Sequence, residues 1–328
     1  MEAKEILERI IFIGGPPRSG TTLAAKSLNL HPGFVAAIDD HVYECWGLYF
    51  YRDRVGLVHD LRTRQVSPAE AQKALKNHLF ADGRLVGAAL SDKTAGYPRV
   101  AATTSRFPGS VRSALDDDLA RCKIPLEEFS SAWRLCLKSP EISFVLPQMA
   151  NHFPAAKFVL VYRPLIEIAE SMFRIGNMVK RFPVFHKRWI EERGDNGEWL
   201  PPPGVPAEWN RLWQSVSGFQ RCVIYAASYL RALLQGISQV ALDKYFVYNH
   251  ASLRNSSGQI FQQLAQFLAV EASGFHIAEA QLKIELPLIP AQLEIEYAEI
   301  EREMALKQLM RQMESLSGSI RLLKKTSA

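Results

Sequence analysis

A loop between a predicted strand and a predicted helix near the start of the chain carries the residue types that hold an anion. The apolar run Ile10–Ile13 predicts a buried strand, and Thr21–Leu30 predicts a helix that stops before His31-Pro32-Gly33. The loop between them reads Gly15-Pro16-Pro17-Arg18-Ser19-Gly20-Thr21-Thr22. Backbone N–H groups in such a turn point inward, and the helix N-terminus adds the positive end of its dipole. The sequence therefore predicts a phosphate-type anion site here.

This loop has the spacing of a nucleotide phosphate loop but lacks the lysine of that motif. In the pattern GxxxxGK[ST], Thr21 stands where the lysine of nucleotide triphosphatases reaches the β- and γ-phosphates. The cation is Arg18 instead, and a guanidinium fork can hold a phosphate or sulfonate through two hydrogen bonds. The hydroxyls of Thr21 and Thr22 can donate to the same group. This set of residues argues against hydrolysis of ATP or GTP.

A second group of basic and hydroxyl residues follows two later strands. Lys138 directly follows the predicted strand Trp133–Leu137, and Arg163 directly follows Lys157–Tyr162. Ser171 comes eight positions after Arg163, on the next predicted helix. Open α/β sheets bind ligands beyond the carboxyl ends of their strands, so these residues are expected at the ligand-binding edge.

The two segments together resemble those of sulfotransferases that use 3′-phosphoadenylyl sulfate (PAPS). The resemblance is to the form that these segments have in the bacterial, carbohydrate and tyrosylprotein branches of that family. The string Pro17–Leu23, followed by His31-Pro32, is similar to the 5′-phosphosulfate loop of that family. By the same resemblance, Arg163 and Ser171 would clamp the ribose 3′-phosphate. The resemblance assigns nine residues to the donor site: Pro17, Arg18, Ser19, Gly20, Thr21, Thr22, Arg163, Ser171 and Tyr248.

The resemblance also implies which residues carry out the transfer. Lys138 and Arg18 would offset negative charge on the leaving oxygen and on the sulfonate. A carboxylate shortly after the His-Pro pair serves as the base in the tyrosylprotein and several bacterial branches. Asp39 and Asp40 take that place here, with His41 and Glu44 as alternatives. The acids of this cluster favour a cationic acceptor, such as an amine or a guanidinium, and the chemistry requires no metal.

Strands that alternate with helices predict the fold class, an α/β single domain with a P-loop-type parallel sheet flanked by helices. The five predicted strands are Ile10–Ile13, Phe34–Ile38, Trp133–Leu137, Lys157–Tyr162 and Lys244–Tyr248. The predicted helices are Thr21–Leu30, Ser143–His152, Ile166–Ile175, one that opens at the capping-box pattern Ser256–Gln259 and continues to Leu268, and a long C-terminal one over Leu293–Leu316, within C-terminal helices at about 290–320. Insertions at about 41–130 and 180–215 are expected to shape the acceptor site. The second carries four tryptophans, which form either an acceptor wall or a satellite core.

Composition sets the remaining bounds. The 328 residues are 48% hydrophobic, which suffices for one large core, and the net charge of +5 without an aromatic-basic motif argues against nucleic-acid binding. No run of about 18 apolar residues predicts a membrane span. The four cysteines form no CxxC pair, which favours a reduced cytoplasmic protein. Together with the resemblance, this favours a bacterial-type enzyme of secondary metabolism that acts on a small-molecule acceptor.

Two other functions remain open at this stage. One is a P-loop kinase or another nucleotide-binding protein, which a magnesium-dependent activity with ATP would support. The other is a non-catalytic sulfotransferase-like scaffold, which would bind adenosine 3′,5′-diphosphate without transferring a group.

Overall fold

One mixed sheet forms the centre of the molecule. The computed structural model describes residues 2–38, 67, 69–73, 80–81, 84–89, 121–125, 131–178, 193–194, 196–202, 204–275 and 288–317. Within these residues the sheet has eight strands. They are β1 (Ile11–Gly14), β2 (Phe34–Ile38), β3 (Phe80–Ala81), β4 (Arg84–Ala89), β5 (Arg121–Pro125), β6 (Arg134–Lys138), β7 (Lys157–Tyr162) and β8 (Tyr245–Asn249).

The five strands predicted from the sequence form the parallel part of this sheet. Their order is β2-β6-β1-β7-β8, and each neighbouring pair runs parallel. All five begin and end within one residue of their predicted bounds, because buried runs of apolar and β-branched residues give a strong signal. The predicted fold class, a parallel sheet flanked by helices, is confirmed.

Three further strands extend the sheet beyond β2 and were not predicted. β4 pairs antiparallel with β2, and both β3 and β5 pair antiparallel with β4. All three fall within the first predicted insertion. β3 has two residues, and β4 mixes arginine, glycine and alanine with two larger apolar residues, so neither has the apolar run that marks a buried strand.

Helices cover both faces of the sheet. They are α1 (Ala3–Glu8), α2 (Thr21–Leu30), α3 (Leu146–His152), α4 (Leu165–Met178), α5 (Asn210–Ser215), α6 (Gly218–Ile237), α7 (Leu253–Leu268), α8 (Ala291–Glu303) and α9 (Leu306–Ser317). The helix predicted over Ser143–His152 is in fact a 3₁₀ turn, Pro140–Phe144, followed by α3. Among the described helices, none has the length and apolar character needed to cross a bilayer.

The predicted C-terminal helix over Leu293–Leu316 is divided in two. Ala305, between α8 and α9, has a φ of +52°, which no residue inside a right-handed helix adopts. An alanine in this conformation gives no sequence signal, since glycine is the residue expected there. The break could therefore not be predicted.

Alternate residues of the central strands face two separate hydrophobic clusters. Phe12 of β1 packs in the larger cluster, which includes most of the buried side chains of α4 and α6. Ile11 and Ile13 point the other way, into a smaller cluster beneath α2 and α7. Burial on both faces fixes the register of each strand, because a slip by one residue would exchange the two faces.

His31, which belongs to the predicted loop signature, anchors the end of α2. Its Nδ1 accepts a hydrogen bond from the Gly33 N–H at 2.9 Å, so in the neutral ring Nε2 carries the hydrogen and donates to the Glu271 carbonyl at 3.1 Å. The ring lies 4.8 Å from the Phe34 ring and 4.7 Å from the Phe275 ring, between centroids. His31 thereby ties the start of β2 to the turn after α7.

The carboxyl ends of the parallel strands meet along one edge. The loop after β1, Ser139 after β6, Arg163 after β7 and His250 after β8 all begin there. The Ser139 N–H donates to the Ile13 carbonyl at 2.9 Å, which ties the end of β6 to the end of β1. Residues far apart in the sequence are therefore brought together at this edge.

Candidate anion-binding site

The loop after β1 lies directly on the end of β7. A Cβ atom added at Gly15, whose φ is +134°, would fall 1.9 Å from the Val161 carbonyl oxygen, so only glycine fits there. The Ser19 hydroxyl donates to the same oxygen at 3.0 Å. Arg18 has a φ of +68°, a left-handed conformation that is uncommon for a residue with a side chain. The backbone is therefore strained at Arg18, and this conformation places Arg18 at the carboxyl ends of the strands.

The helix that follows this loop starts without a side-chain cap. Gly20, at the N-cap position with a φ of +102°, offers no side chain, and no other described side chain caps α2. The first N–H groups of a helix have no partner within it and favour an anion. Thr21 in the first turn is buried and Thr22 is exposed. The loop therefore keeps both features that a phosphate-type site requires, an uncapped helix start and a nearby cation.

A hydrogen bond joins this loop to the second predicted segment. Arg18 Nε donates to Ser171 Oγ at 3.1 Å, although the two residues are 153 positions apart. Ser171 is buried in the first half of α4, the helix that begins just after β7. The residue predicted to serve the 5′ end of the donor and one predicted to serve its 3′-phosphate are therefore direct neighbours.

Two carboxylates of α4 pair with the arginines around Ser171. Arg163 Nε donates to Glu167 Oε2 at 2.5 Å, and Arg174 Nε lies 3.0 Å from Glu170 Oε1. Both pairs have i, i+4 spacing on the helix surface or at its start. With Arg18, the cluster contains three cations and two anions, a formal net charge of +1. It is cationic without being strongly so.

Burial, together with the charges of Arg174 and Arg163, contributes to a lowered pKa of Arg18. Part of its side chain stays exposed to solvent, but partial desolvation, followed by the charges of Arg174 and Arg163, lowers the pKa of Arg18, and Glu170 opposes the shift. Since the unperturbed value is 12.5, the guanidinium stays charged at neutral pH. A bound anion would relieve the repulsion among these cations.

Lys138, at the end of β6, stands beside a buried polar network. Its side chain is 7% exposed. Next to it, the Ser139 hydroxyl donates to Glu141 Oε2 at 3.0 Å, and Tyr229 OH donates to Glu141 Oε1 at 3.3 Å. This network fixes the turn that follows Lys138, so the backbone that carries the lysine is held rigidly at the edge.

The remaining predicted site residues divide into two groups. Pro17 and Tyr248 are buried, and Tyr248 packs in the smaller hydrophobic cluster, where desolvation raises the pKa of its phenol. The predicted bases and their alternatives lie outside the described residues: Asp39, Asp40, His41 and Glu44. In the sequence Asp39 directly follows Ile38, the last residue of β2.

His250 is at this edge and was not identified from the sequence. It is the first residue after β8, is 8% exposed, and its ring contacts the loop after β1 at Gly20. Desolvation, followed by the charge of Arg163, lowers the pKa of His250 from 6.5 to about 4. The only available signal was its position two residues after the predicted strand Lys244–Tyr248.

Three of the four tryptophans in the second insertion lie within the described residues. Trp213 is fully buried in the larger cluster, and Trp209 packs against it. Trp199 lies between two guanidinium groups, since Arg193 and Arg221 each have Cζ 3.8 Å from its ring centroid. For these three tryptophans, the packing matches the satellite-core alternative, and the acceptor role of the insertion stays a prediction.

In comparisons with known proteins, the chain is similar to sulfotransferases. The model of the Sulfotransferase family matches residues 10–197, which is more than half of the chain. The sulfotransferase from Alicyclobacillus acidocaldarius is 12% identical, with 94% of each chain covered and a TM-score of 0.46. The sulfotransferase domain from the curacin biosynthetic pathway is 16% identical, with 89% of this chain and 97% of that chain covered and a TM-score of 0.41. No match was found among curated proteins.

The lowered pKa of His250 predicts an acid sensitivity of the unliganded protein. At a pH between the His250 pKa of 6.5 in the unfolded chain and that of about 4 in the folded chain, the imidazole is protonated in the unfolded chain and neutral in the folded chain. Stability is therefore lost as the pH falls through this window. By linkage, the free energy of unfolding should drop by about 2 kcal/mol more in the wild type than in His250→Asn between about pH 7.5 and about pH 5. Urea unfolding at both pH values measures it, and identical pH dependence in the two proteins would contradict the prediction.

Proposed function

Because the chain belongs to the sulfotransferase family, we propose that it moves a sulfuryl group from PAPS to a hydroxyl or amine of a small-molecule acceptor. The observation that carries the proposal is the hydrogen bond between Arg18 and Ser171. It joins the loop suited to the phosphosulfate with the segment suited to the ribose 3′-phosphate. A nucleotide with anionic groups at both its 5′ and 3′ positions is the ligand that such an arrangement fits.

The arginine–glutamate pairs support the proposal that this site binds a doubly charged anion. Each guanidinium has five N–H donors, and the bonds from Nε to Glu167 or Glu170 use one of them. The largely buried pair with Glu167 orients Arg163, and both arginines keep further N–H groups for a phosphate. A clamp that is already oriented loses less side-chain entropy when its ligand binds.

The proposed reaction is an in-line displacement at sulfur. The acceptor oxygen or nitrogen forms a bond to sulfur while the bond from sulfur to the 5′-phosphate oxygen breaks, and the electron pair of that bond leaves with adenosine 3′,5′-diphosphate. Lys138, Arg18 and the loop N–H groups offset the charge that develops on the leaving oxygen and the sulfonate oxygens. The acceptor proton passes to a base, for which we propose Asp39 or Asp40, with His41 and Glu44 as alternatives.

A reduced, cytoplasmic setting is part of this proposal. Cys136 and Cys222, the two described cysteines with buried side chains, are thiols and form no disulfide. Buried thiols are typical of proteins that work in a reducing compartment.

Replacement of Lys138 by methionine tests the assignment of the transferring cation. Because the lysine is proposed to act mainly on charge that develops in the transition state, Lys138→Met should lower kcat for transfer from radiolabelled PAPS by about 100-fold or more and change the Kd of adenosine 3′,5′-diphosphate by less than about threefold. Lys157→Met is the matched control, since Lys157 begins β7 at the opposite edge of the sheet. Equal kcat values for the two variants would exclude a catalytic role for Lys138.

The acid cluster after β2 predicts a preference among acceptors. In a screen of amines, guanidines, alcohols, sugars and phenols with radiolabelled PAPS, cationic acceptors should give the highest kcat/KM. The double variant Asp39→Asn, Asp40→Asn should lose at least about tenfold more kcat/KM with a cationic acceptor than with a neutral one. Asp243→Asn, an acid at the opposite edge, is the control. An equal loss with both acceptor classes would show that the acids do not select for charge.

A further inference from the structure

His250 packs its ring against the phosphate loop at the point where the loop becomes α2. A Cβ atom added at Gly20 would lie 1.9 Å from His250 Cδ2 and 2.8 Å from Nε2, so the imidazole occupies the space that a side chain at Gly20 would need. His250 opens the 3₁₀ turn His250–Ser252 at the carboxyl end of β8. It therefore touches the proposed 5′ loop from the side of the sheet opposite to β6.

The ring has one polar atom that the fold does not use. His250 Nδ1 is buried and has no hydrogen-bond partner among the described residues. The turn does not need it, because the Asn249 side chain caps the turn by accepting from the Ala251 N–H at 2.9 Å. Native proteins leave few buried polar atoms unpaired, so such an atom beside a ligand site calls for a partner from the ligand.

His250 also interacts electrostatically with the second proposed anion site. The charge of Arg163, the residue after β7, disfavours the protonated imidazole, so the two side chains are close enough to interact electrostatically. The Cδ2 edge of the ring faces the loop at Gly20, so Nδ1 lies on the opposite edge of a ring that is near both this loop and the arginine proposed to hold the 3′-phosphate. At neutral pH the ring is uncharged and carries one N–H, which can sit on Nδ1 and donate to an anionic oxygen.

We propose that His250 is a further donor-site residue whose Nδ1–H donates a hydrogen bond to an anionic oxygen of the bound nucleotide. This inference rests on the proposed function, because it requires adenosine 3′,5′-diphosphate or PAPS as the ligand. It differs from that function in assigning a contact to the end of β8, where the resemblance pointed to Tyr248. Tyr248 instead packs in the smaller hydrophobic cluster.

Two substitutions separate a ligand contact from a packing role. His250→Phe keeps a flat ring against Gly20 but has no nitrogen, whereas His250→Asn has an amide nitrogen near the position of Nδ1 and no ring. In calorimetric titrations with adenosine 3′,5′-diphosphate, His250→Phe should weaken binding by about tenfold or more, the effect of one lost hydrogen bond to a charged group. His250→Asn should stay within about threefold of the wild type.

His152→Phe is the matched control. His152 ends α3 at the opposite edge of the sheet, and both of its ring nitrogens are buried without a hydrogen-bond partner among the described residues. Its replacement should leave nucleotide binding unchanged. Thermal unfolding of every variant shows whether it is folded under the conditions of the titration.

A measurement on the wild type makes the test independent of the variants' stability. With ¹⁵N-labelled histidine, saturation with adenosine 3′,5′-diphosphate should shift the Nδ1 resonance of His250, identified by its absence in His250→Asn. Wild-type affinity in His250→Phe, equal weakening in both variants, or an unshifted Nδ1 resonance would overturn the inference while leaving the proposed function intact. Absence of nucleotide binding by the wild type would overturn both.

Discussion

The hydrogen bond from Arg18 to Ser171 is the contact on which the interpretation of this molecule depends. It spans 153 positions of the chain at a distance of 3.1 Å. It can form because β1 lies beside β7, so the loop after one strand and the helix after the other begin at the same edge. The close approach of Gly15 to the Val161 carbonyl oxygen fixes the distance between them. A larger residue at Gly15 would move the loop away from α4 and separate the two anion-binding segments.

Charge balance explains how the fold accommodates a cluster of three arginines. Glu167 and Glu170 neutralise two of the three guanidinium groups near Ser171, and Arg18 remains partly exposed to solvent. Three neighbouring cations without these carboxylates would repel one another, and the charge of the mostly buried Arg163 would be left unpaired. The carboxylates also limit the affinity for anions, because a bound phosphate must share the arginines with them. The site is therefore organised before it binds rather than made as positive as possible.

The sequence was informative where a local pattern determines the structure. The five parallel strands were predicted from their apolar runs, and α2 from the stretch Thr21–Leu30 that His31-Pro32-Gly33 ends. The pairs Arg163–Glu167 and Glu170–Arg174 also have a local signal in their i, i+4 spacing. The fold class was accessible from such patterns, whereas the residues proposed for the donor site were assigned by resemblance to a family.

Structural features that depend on tertiary packing could not be predicted from the sequence. The antiparallel strands β3–β5 lack the apolar runs of buried strands, and the 20-residue helix α6 was not singled out although it packs centrally in the larger cluster. The neighbourhood of Arg18 and Ser171 depends on the order of strands in the sheet, and the contact of His250 with Gly20 depends on the path of the chain after β8. Neither has a counterpart in sequence spacing. Tertiary geometry, not residue type, brings together the four residues that we assign to one proposed site.

The central claim is that one nucleotide is held at both its 5′ and 3′ ends, and a comparison of two nucleotides tests it most directly. Calorimetric titration of the wild type with adenosine 3′,5′-diphosphate and with adenosine 5′-monophosphate isolates the contribution of the 3′-phosphate. With Arg163 and Ser171 on that phosphate, the diphosphate should bind at least about 100-fold more tightly. Equal affinity for the two nucleotides, or no binding of either by folded protein, would contradict the account.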